Sequence, residues 1–552
     1  MPLLRWRLAF EAMVELVVPS WDRTQDVAYR VRSLGDAWRS GVHLSPGGPA
    51  LSVDGETLTY RELDERARSI AAAIQQIDPT GSPVAVLAQR SLDAYLGVLG
   101  AVLAGRTYVP LHPDFPPQRS AGMLRRSGAA TVVVGPEADE AAQAVFAAVD
   151  RPAALVFPTR SAPGWASLAA AGLPVVGADL PSPGEAQPET TRTDSIGYLL
   201  FTSGSTGEPK GVGVTQANVS AYLTHVVTAY GYGPGDRCSQ MFDLTFDLSV
   251  HDLFVTWMSG ACLCVPSKRS VLAPGAYIRN EGLTAWFSVP SVAMVMDRLR
   301  MLKAGAFPGL RLSLFCGEAL SAGLAEKWAM ASPNSELHNL YGPTEATIAI
   351  TAYEWAPGAV ASGVVPIGRP FPGHEVAVVD ASGIDVGESG RGELCLAGPQ
   401  VTPGYWEDAE RTGASFVELP GSTQRWYRTG DVVERSEHQG LRYLGRIDDQ
   451  IQIMGFRVEL VEIDAALRHA LGTELAVAVP YPPGPSAEGV YAFAAGSDHH
   501  GDEAGALALC RDRLPPYMVP KRVFFVDQLP LNSNGKIDRG ALRPVLEELL
   551  GA

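Results

Sequence analysis

The string Thr202-Ser203-Gly204-Ser205-Thr206-Gly207-Glu208-Pro209-Lys210-Gly211 gathers hydroxyls, glycines and one lysine directly after a strand-like run, IGYLLF. Glycines let backbone N–H groups come close to an anion, and the Ser/Thr hydroxyls add donors. Lys210 contributes a compact positive charge suited to phosphate. The spacing GxxxxGK[ST] is absent, so this is not a Walker A loop. A structural glycine turn would account for a TGxP fragment but not for the whole string. The chemistry these residues suggest is the binding of a phosphate chain.

Such a loop needs a strand to present it, and the surrounding pattern supplies one. Ser82–Ala88 reads as a strand, Ser91–Leu103 as a helix with apolar spacing, and Thr131–Val134 as a strand again. This alternation predicts α/β layers through the first two thirds of the chain. The polar, proline-bearing run PSPGEAQPETTRTDS (181–195) predicts a loop just before IGYLLF. After Tyr443 the character changes. GRIDDQIQIMGFRVEL leads into a helix candidate at Leu460–Ala470, followed by strand-like ELAVAVPY, VYAFAAG and RVFFVD. The expectation is a large N-terminal α/β lobe, residues 1–447, and a small mobile α+β lid, residues 448–552. His499 and His500 fall in a flexible stretch without a carboxylate or Cys at ligand spacing, and read as solvated loop.

Composition narrows the function classes. The 552 residues are 46% apolar and 19% charged, an ordinary globular balance, with a formal net charge of −16. An acidic chain argues against nonspecific binding to nucleic acid or to an anionic membrane. No apolar run reaches the ~18 residues needed to span a bilayer. Arg5, Arg7, Glu11 and Glu15 interrupt the N-terminal apolar spacing too early for a signal-peptide core, leaving an amphipathic helix or loose extension. Six cysteines, at 238, 262, 264, 316, 395 and 510, form no CxxC pair. They suggest reduced thiols and a cytoplasmic protein rather than zinc or disulfides.

TSGSTGEPKG resembles the phosphate loop of the adenylate-forming superfamily, which comprises acyl-CoA synthetases, luciferases and the adenylation domains of nonribosomal peptide synthetases. The match recurs in order along nearly the whole chain. LTYREL (58–63) and VLAGRTYVPL (102–111) precede the loop. FDLSVHDLF (246–254), NLYGPTE (339–345), GELCLAGPQVTPGYW (392–406), YRTGD (427–431), GRIDDQIQIMGFRVEL (445–460), LPPYMVP (514–520) and NGKIDR (534–539) follow. Each version is most similar to amino-acid-activating adenylation domains. The resemblance implies two half-reactions: a carboxylate attacks the α-phosphate of ATP to give an acyl-adenylate and pyrophosphate, and a thiol then displaces AMP to give a thioester.

The same resemblance implies roles residue by residue. Glu345 matches the Mg²⁺ carboxylate, Tyr341 the residue that stacks on adenine, and Thr344 a contact to the α-phosphate. Asp431 matches the carboxylate that binds the ribose hydroxyls, with Arg446 as a second ribose contact. Gly317, Glu318, Asn339 and Gly342 complete the expected ATP site together with Thr202, Ser203, Gly204, Ser205, Thr206, Gly207 and Lys210. Lys536 matches the lysine that bridges the substrate carboxylate and α-phosphate, and Asp448 the hinge between the lobes. One position departs from the family pattern: Gln452 stands where a lysine is usual, and Met454 follows.

Asp247 matches the aspartate that pairs with the α-ammonium of amino-acid substrates. A fatty or aryl acid offers no cation to a buried carboxylate, so an amino acid is favoured. A helix N-cap is the structural alternative for this residue, and Asp243 is a second candidate for holding the ammonium. The remaining pocket positions implied are Leu248, His251, Ser288, Leu314, Cys316, Leu340, Ile348 and Ala349. His251 and Ser288 are expected to bond a polar group of the substrate or each other. The runs around Cys316 and Asp247 are also similar to D-alanine–carrier-protein ligases. A small side chain is expected, with alanine, serine, another small α-amino acid and a β-amino acid left open. The acceptor expected is phosphopantetheine on a separate carrier protein, since no attachment-site motif follows Lys536 in this sequence. The alternative is a CoA ligase that releases an acyl- or aryl-CoA.

Overall fold

A computed structural model describes residues 31–149, 154–160, 165, 172–177, 179–188, 191–204, 209–360, 363–387, 389–448, 450–483, 486–495, 502–530 and 537–551. The predicted N-terminal helix, the His499–His500 stretch, Ser205–Gly207 and Lys536 lie outside these residues.

Alternating apolar strands and amphipathic helices build two large sheets. The first has seven strands in the spatial order Val175–Val176, Ala154–Val156, Thr131–Val134, Val84–Leu87, Tyr108–Leu111, Ile196–Thr202 and Lys210–Thr215. All pairings but the last are parallel. Val84–Leu87 and Thr131–Val134 are buried throughout, as parallel strands covered on both faces must be. The helix predicted from Ser91 runs Leu92–Leu103, with Ser91 at its N-cap.

The second sheet has nine strands. Its central order is Glu336–Tyr341, Leu312–Phe315, Ala285–Ser288, Arg237–Ser239, Cys262–Cys264. The motif strands therefore lie side by side, and their C-terminal ends converge on one edge, where ligands of open α/β sheets bind. A third sheet, of five strands, includes Gly390–Ala397, Arg425–Ser436 and Gly440–Arg446.

Among the described residues, no strand after Arg446 pairs with a strand before it. Gln450–Ile453 and Phe456–Glu459 form a hairpin joined by Ser486–Ala487. Ala476–Tyr481, Gly489–Ala494 and Val523–Phe525 form another sheet. The helix Leu460–Leu471 packs between them, with Leu460, Ile463, Leu467 and Leu471 in a core of their own.

Candidate active site

The strand Ile196–Thr202 pairs antiparallel with Lys210–Thr215, Thr202 opposite Lys210, so the two ends of the hydroxyl-rich string stand side by side. Pairing buries Lys210 and aims its Nζ at Glu345 Oε1, 3.0 Å away. Tyr405, from the GYW motif, donates its hydroxyl to the same oxygen at 2.8 Å. Arg457 Nη1 donates to Oε2 at 3.3 Å. Glu345 is 1% exposed. Burial alone would raise its carboxyl pKa, but the charges of Lys210 and Arg457 and the two hydrogen bonds to Oε1 hold it well below the usual carboxylate range.

Glu345 sits in a strained turn. Strand Glu336–Tyr341 ends at Gly342, where a Cβ would stand 2.6 Å from Ala349 Cα, so only glycine lets the turn fold back this closely. Beyond Glu345, Thr347 and Ile348 hold φ of 58° and 73°, left-handed values that β-branched residues avoid. Buried Gln400 clamps the segment: its Nε2 donates to the carbonyls of Thr347 at 3.0 Å and Ala349 at 2.7 Å, and its own carbonyl accepts from Thr347 Oγ1.

A second carboxylate closes the site from the third sheet. Asp431 stands in register with Arg446 on adjacent strands. It accepts from Tyr341 OH and from Arg446 Nη1, both at 2.5 Å. Arg446 also grips Asp448 through Nε and Nη2 at 2.7 and 2.9 Å. One guanidinium thus joins the expected ribose carboxylate to the expected hinge aspartate.

These groups border a cavity of about 150 Å³. Thr202, Ser203, Tyr341, Gly342 and Thr344 line it, as do Gly317, Glu318 and Asn339, with Asp431 and Arg446 at one side. Lys210, Arg457 and Asp448 line an adjoining cavity of about 600 Å³. Gly204 is described but borders neither.

Asp247, Leu248, Cys316 and Leu340 also line the smaller cavity. Asp247 stands at the N-cap position of a short helix, Leu248–Val250, without a side-chain capping hydrogen bond. It is 7% exposed, and its Oδ2 has no hydrogen-bond partner. Burial pushes its pKa up to about 7, against the pull of the Thr344 hydroxyl, with the Glu345 charge adding to the rise. The Ile348 and Leu248 N–H groups also bond the carboxylate, so the open position is Oδ2, a buried oxygen that a further donor would satisfy. Burial keeps the Cys316 thiol neutral.

Five expected pocket residues do not border this cavity. His251 is held by Tyr222 OH at Nδ1 (2.7 Å) and Tyr232 OH at Nε2 (3.3 Å), and packs on Phe287. Its burial without a charge partner lowers its pKa to about 3, leaving it neutral. Ser288 accepts from Trp286 Nε1 at 3.0 Å and donates to the Val289 carbonyl. These contacts correct the expectation that the two bond each other or a substrate group. Leu314, Ile348 and Ala349 are fully buried behind the wall.

Sequence reasoning missed the lid hairpin's part in the site. Its turn carries Gly455 at φ 86°, and a Cβ there would stand 2.5 Å from Val289 Cγ1. Phe456 packs edge-on against Phe246 and stacks on Tyr517 at 3.6 Å between centroids. Ser203 Oγ donates to the Arg457 carbonyl at 2.7 Å. Gln452 lines the smaller cavity, and Arg457, five residues on, brings a cation into the site. The quoted motif GFRVEL contained Arg457, but Glu345, its partner in the site, lies 112 residues away.

Comparison with known families accords with this geometry. The AMP-binding enzyme family matches residues 39–406, and the AMP-binding enzyme C-terminal domain matches 463–536. Phosphinothricin tripeptide synthetase PhsC of Streptomyces viridochromogenes is 33% identical over 518 residues, 93% of this chain and 45% of that protein. This chain therefore spans less than half of that relative. Among solved structures, the Vibrio cholerae adenylation domain AlmE, in complex with glycyl-adenosine-5'-phosphate, is 30% identical with a TM-score of 0.84, covering 97% of this chain and 99% of that one. IdnL7 is 33% identical with a TM-score of 0.69, covering 94% and 99%.

Proposed function

This chain belongs to the AMP-binding enzymes, as an ATP-dependent ligase of the nonribosomal-peptide-synthetase adenylation type that forms an acyl-adenylate, and from that premise we propose that its acid is a small amino acid and its final acceptor the phosphopantetheine thiol of a carrier protein. The observation that carries the reading is Asp247: a buried carboxylate with an unpartnered oxygen that lines the cavity together with Leu248, Cys316 and Leu340. An α-ammonium satisfies it, and Leu248, Cys316 and Leu340 leave room for little beyond. AlmE, with its bound glycyl-adenylate, supports a small substrate.

In this reading the acyl-adenylate forms by attack of the amino-acid carboxylate on the α-phosphate, with pyrophosphate as the leaving group. Two anions must meet, so positioning and charge neutralisation dominate over any protein nucleophile. Thr202, whose buried Oγ1 has no hydrogen-bond partner, offers a donor along the phosphate path, and Ser203 and Thr344 can add theirs by leaving the Arg457 carbonyl and Asp247. Tyr341 packs the adenine, and Asp431 and Arg446 hold the ribose. Lys536 bridges the reacting carboxylate and phosphate.

Glu345 would hold Mg²⁺: it is buried, kept ionised, and its 3.3 Å contact to Arg457 is the most readily exchanged of its bonds. When bound, Mg²⁺ supplies charge neutralisation for phosphate oxygens. Arg457 offers the second half-reaction the positive charge that Gln452 does not. The six thiols are all unpaired and buried, which suits a reducing compartment, the cytoplasm.

ATP–pyrophosphate exchange over glycine, alanine, serine, valine, β-alanine and benzoate tests the acid. A small α-amino acid is expected to lead the panel, and a bulky or aryl acid in first place overturns the reading. Thioester formation with CoA against a phosphopantetheinylated carrier protein tests the acceptor; faster transfer to CoA overturns the carrier assignment.

A further inference from the structure

Asp243, four residues before Asp247, is the other carboxylate the sequence offers for an ammonium. The structure commits it elsewhere. Its Oδ1 accepts from the Thr245 N–H at 3.0 Å and from Thr245 Oγ1 at 2.8 Å. The Phe246 N–H donates to the Asp243 carbonyl at 3.0 Å, so residues 243–246 close a tight turn. Asp247 follows at once.

The turn is fixed from outside by His112. The Asp114 N–H donates to His112 Nδ1 at 3.0 Å, which leaves the ring proton on Nε2. Nε2 lies 3.2 Å from Asp243 Oδ2 and donates to it. The Gln89 amide lies against both groups. His112 and Asp243 side chains are only 13% and 14% exposed. Phe115 stacks on the His112 ring at 5.2 Å between centroids. Phe115, Thr245 and Phe246 line the smaller cavity, whereas His112 and Asp243 do not.

We propose that the His112–Asp243 pair is a positioning device for amino-acid recognition. By holding Asp243 it locks the 243–246 turn, and the turn aims Asp247 at the substrate ammonium. His112 and Asp243 touch no reacting atom and act through Asp247. The inference rests on Asp247 as the ammonium partner, so its test includes that residue.

The experiment measures ATP–pyrophosphate exchange by the full chain with alanine and with propionate, which lacks the amino group. His112→Ala should raise the alanine KM about tenfold, since a misplaced contact rather than a lost charge is the defect. The ATP KM and kcat should move less than about twofold, and the preference for alanine over propionate should shrink with the alanine KM. His112→Gln places an amide donor near the Nε2 position and should restore most of the preference. Asp243→Asn, which keeps an acceptor for Thr245 but loses the charge facing His112, supplies the same reading if His112→Ala does not fold. An unchanged preference in both His112→Ala and Asp243→Asn overturns the proposal, as does an equal rise in the KM of alanine and ATP. If Asp247→Asn itself leaves the preference intact, the ammonium reading of Asp247 fails and the positioning proposal with it. If Asp247→Asn abolishes the preference while the His112 and Asp243 variants keep it, only the positioning proposal fails.

Discussion

Burial lifts the Asp247 pKa to about 7, which favours the protonated carboxyl below that pH. An ammonium beside it favours the carboxylate form. Binding of the amino acid at pH 6 should therefore release close to one proton, and affinity should rise as pH climbs through 7 and then level off. Calorimetry in two buffers of different ionisation enthalpy measures the release directly, and Asp247→Asn should abolish it. Asp247→Ala should cost at least about a hundredfold in exchange activity, from a loss of ~3–5 kcal/mol when a buried cation loses its partner. ATP binding should be preserved. Full activity in Asp247→Ala would mean the ammonium is held elsewhere.

At the scale of elements, the turn between Tyr341 and Ile350 is the most strained part of the site. Two consecutive β-branched residues in left-handed backbone persist only where surroundings over-determine them. Gln400 provides that constraint with bonds to the Thr347 and Ala349 carbonyls and from Thr347 Oγ1. Gln400→Ala should lower stability by about 2–3 kcal/mol through orphaned buried carbonyls, read as a lower denaturant midpoint. Exchange activity should fall as Glu345 drifts, even at temperatures where the variant stays folded. An unchanged midpoint would show that the turn holds itself.

The elements themselves were largely legible in sequence. Ser82–Ala88 shortened to Val84–Leu87 and the helix after Ser91 began on time, because a short apolar run and helical apolar spacing are local signals. The helix predicted over Leu460–Ala470 runs Leu460–Leu471, stopped by Gly472 in the left-handed region. Tyr341, at a strand end, and Asp431, within strand Arg425–Ser436, line one cavity as their motifs implied. What sequence could not supply was partnership across distance. His251 and Ser288 look like pocket donors until Tyr222, Tyr232 and Trp286 are seen to absorb them. Arg457 looks like a surface charge on an alternating strand until the hairpin docks it on Glu345.

At the scale of the whole molecule, the lid region meets the large lobe through few but consequential groups. Beside the hairpin tip, Arg119 of helix Pro117–Ser127 pairs with Glu462 of helix Leu460–Leu471. Their side chains are 7% and 3% exposed, so this is a buried ion pair rather than a surface one. Surface pairs at Arg298–Glu488 are screened and worth little. The buried pair differs in kind: removing one partner strands the other charge out of water, at roughly 3–5 kcal/mol, while replacing both with apolar groups is often neutral. Glu462→Gln should therefore loosen the contact, seen as faster amide hydrogen exchange along Leu460–Leu471 and Pro117–Ser127 together. Arg119→Met combined with Glu462→Leu should recover most of the protection. If the double variant is as exposed as the single one, the pair fixes the orientation of the two helices by geometry that apolar packing cannot replace. If neither variant alters exchange, Phe456, Tyr517 and Phe246 alone hold the surfaces together, and the ion pair is a passenger in the interface.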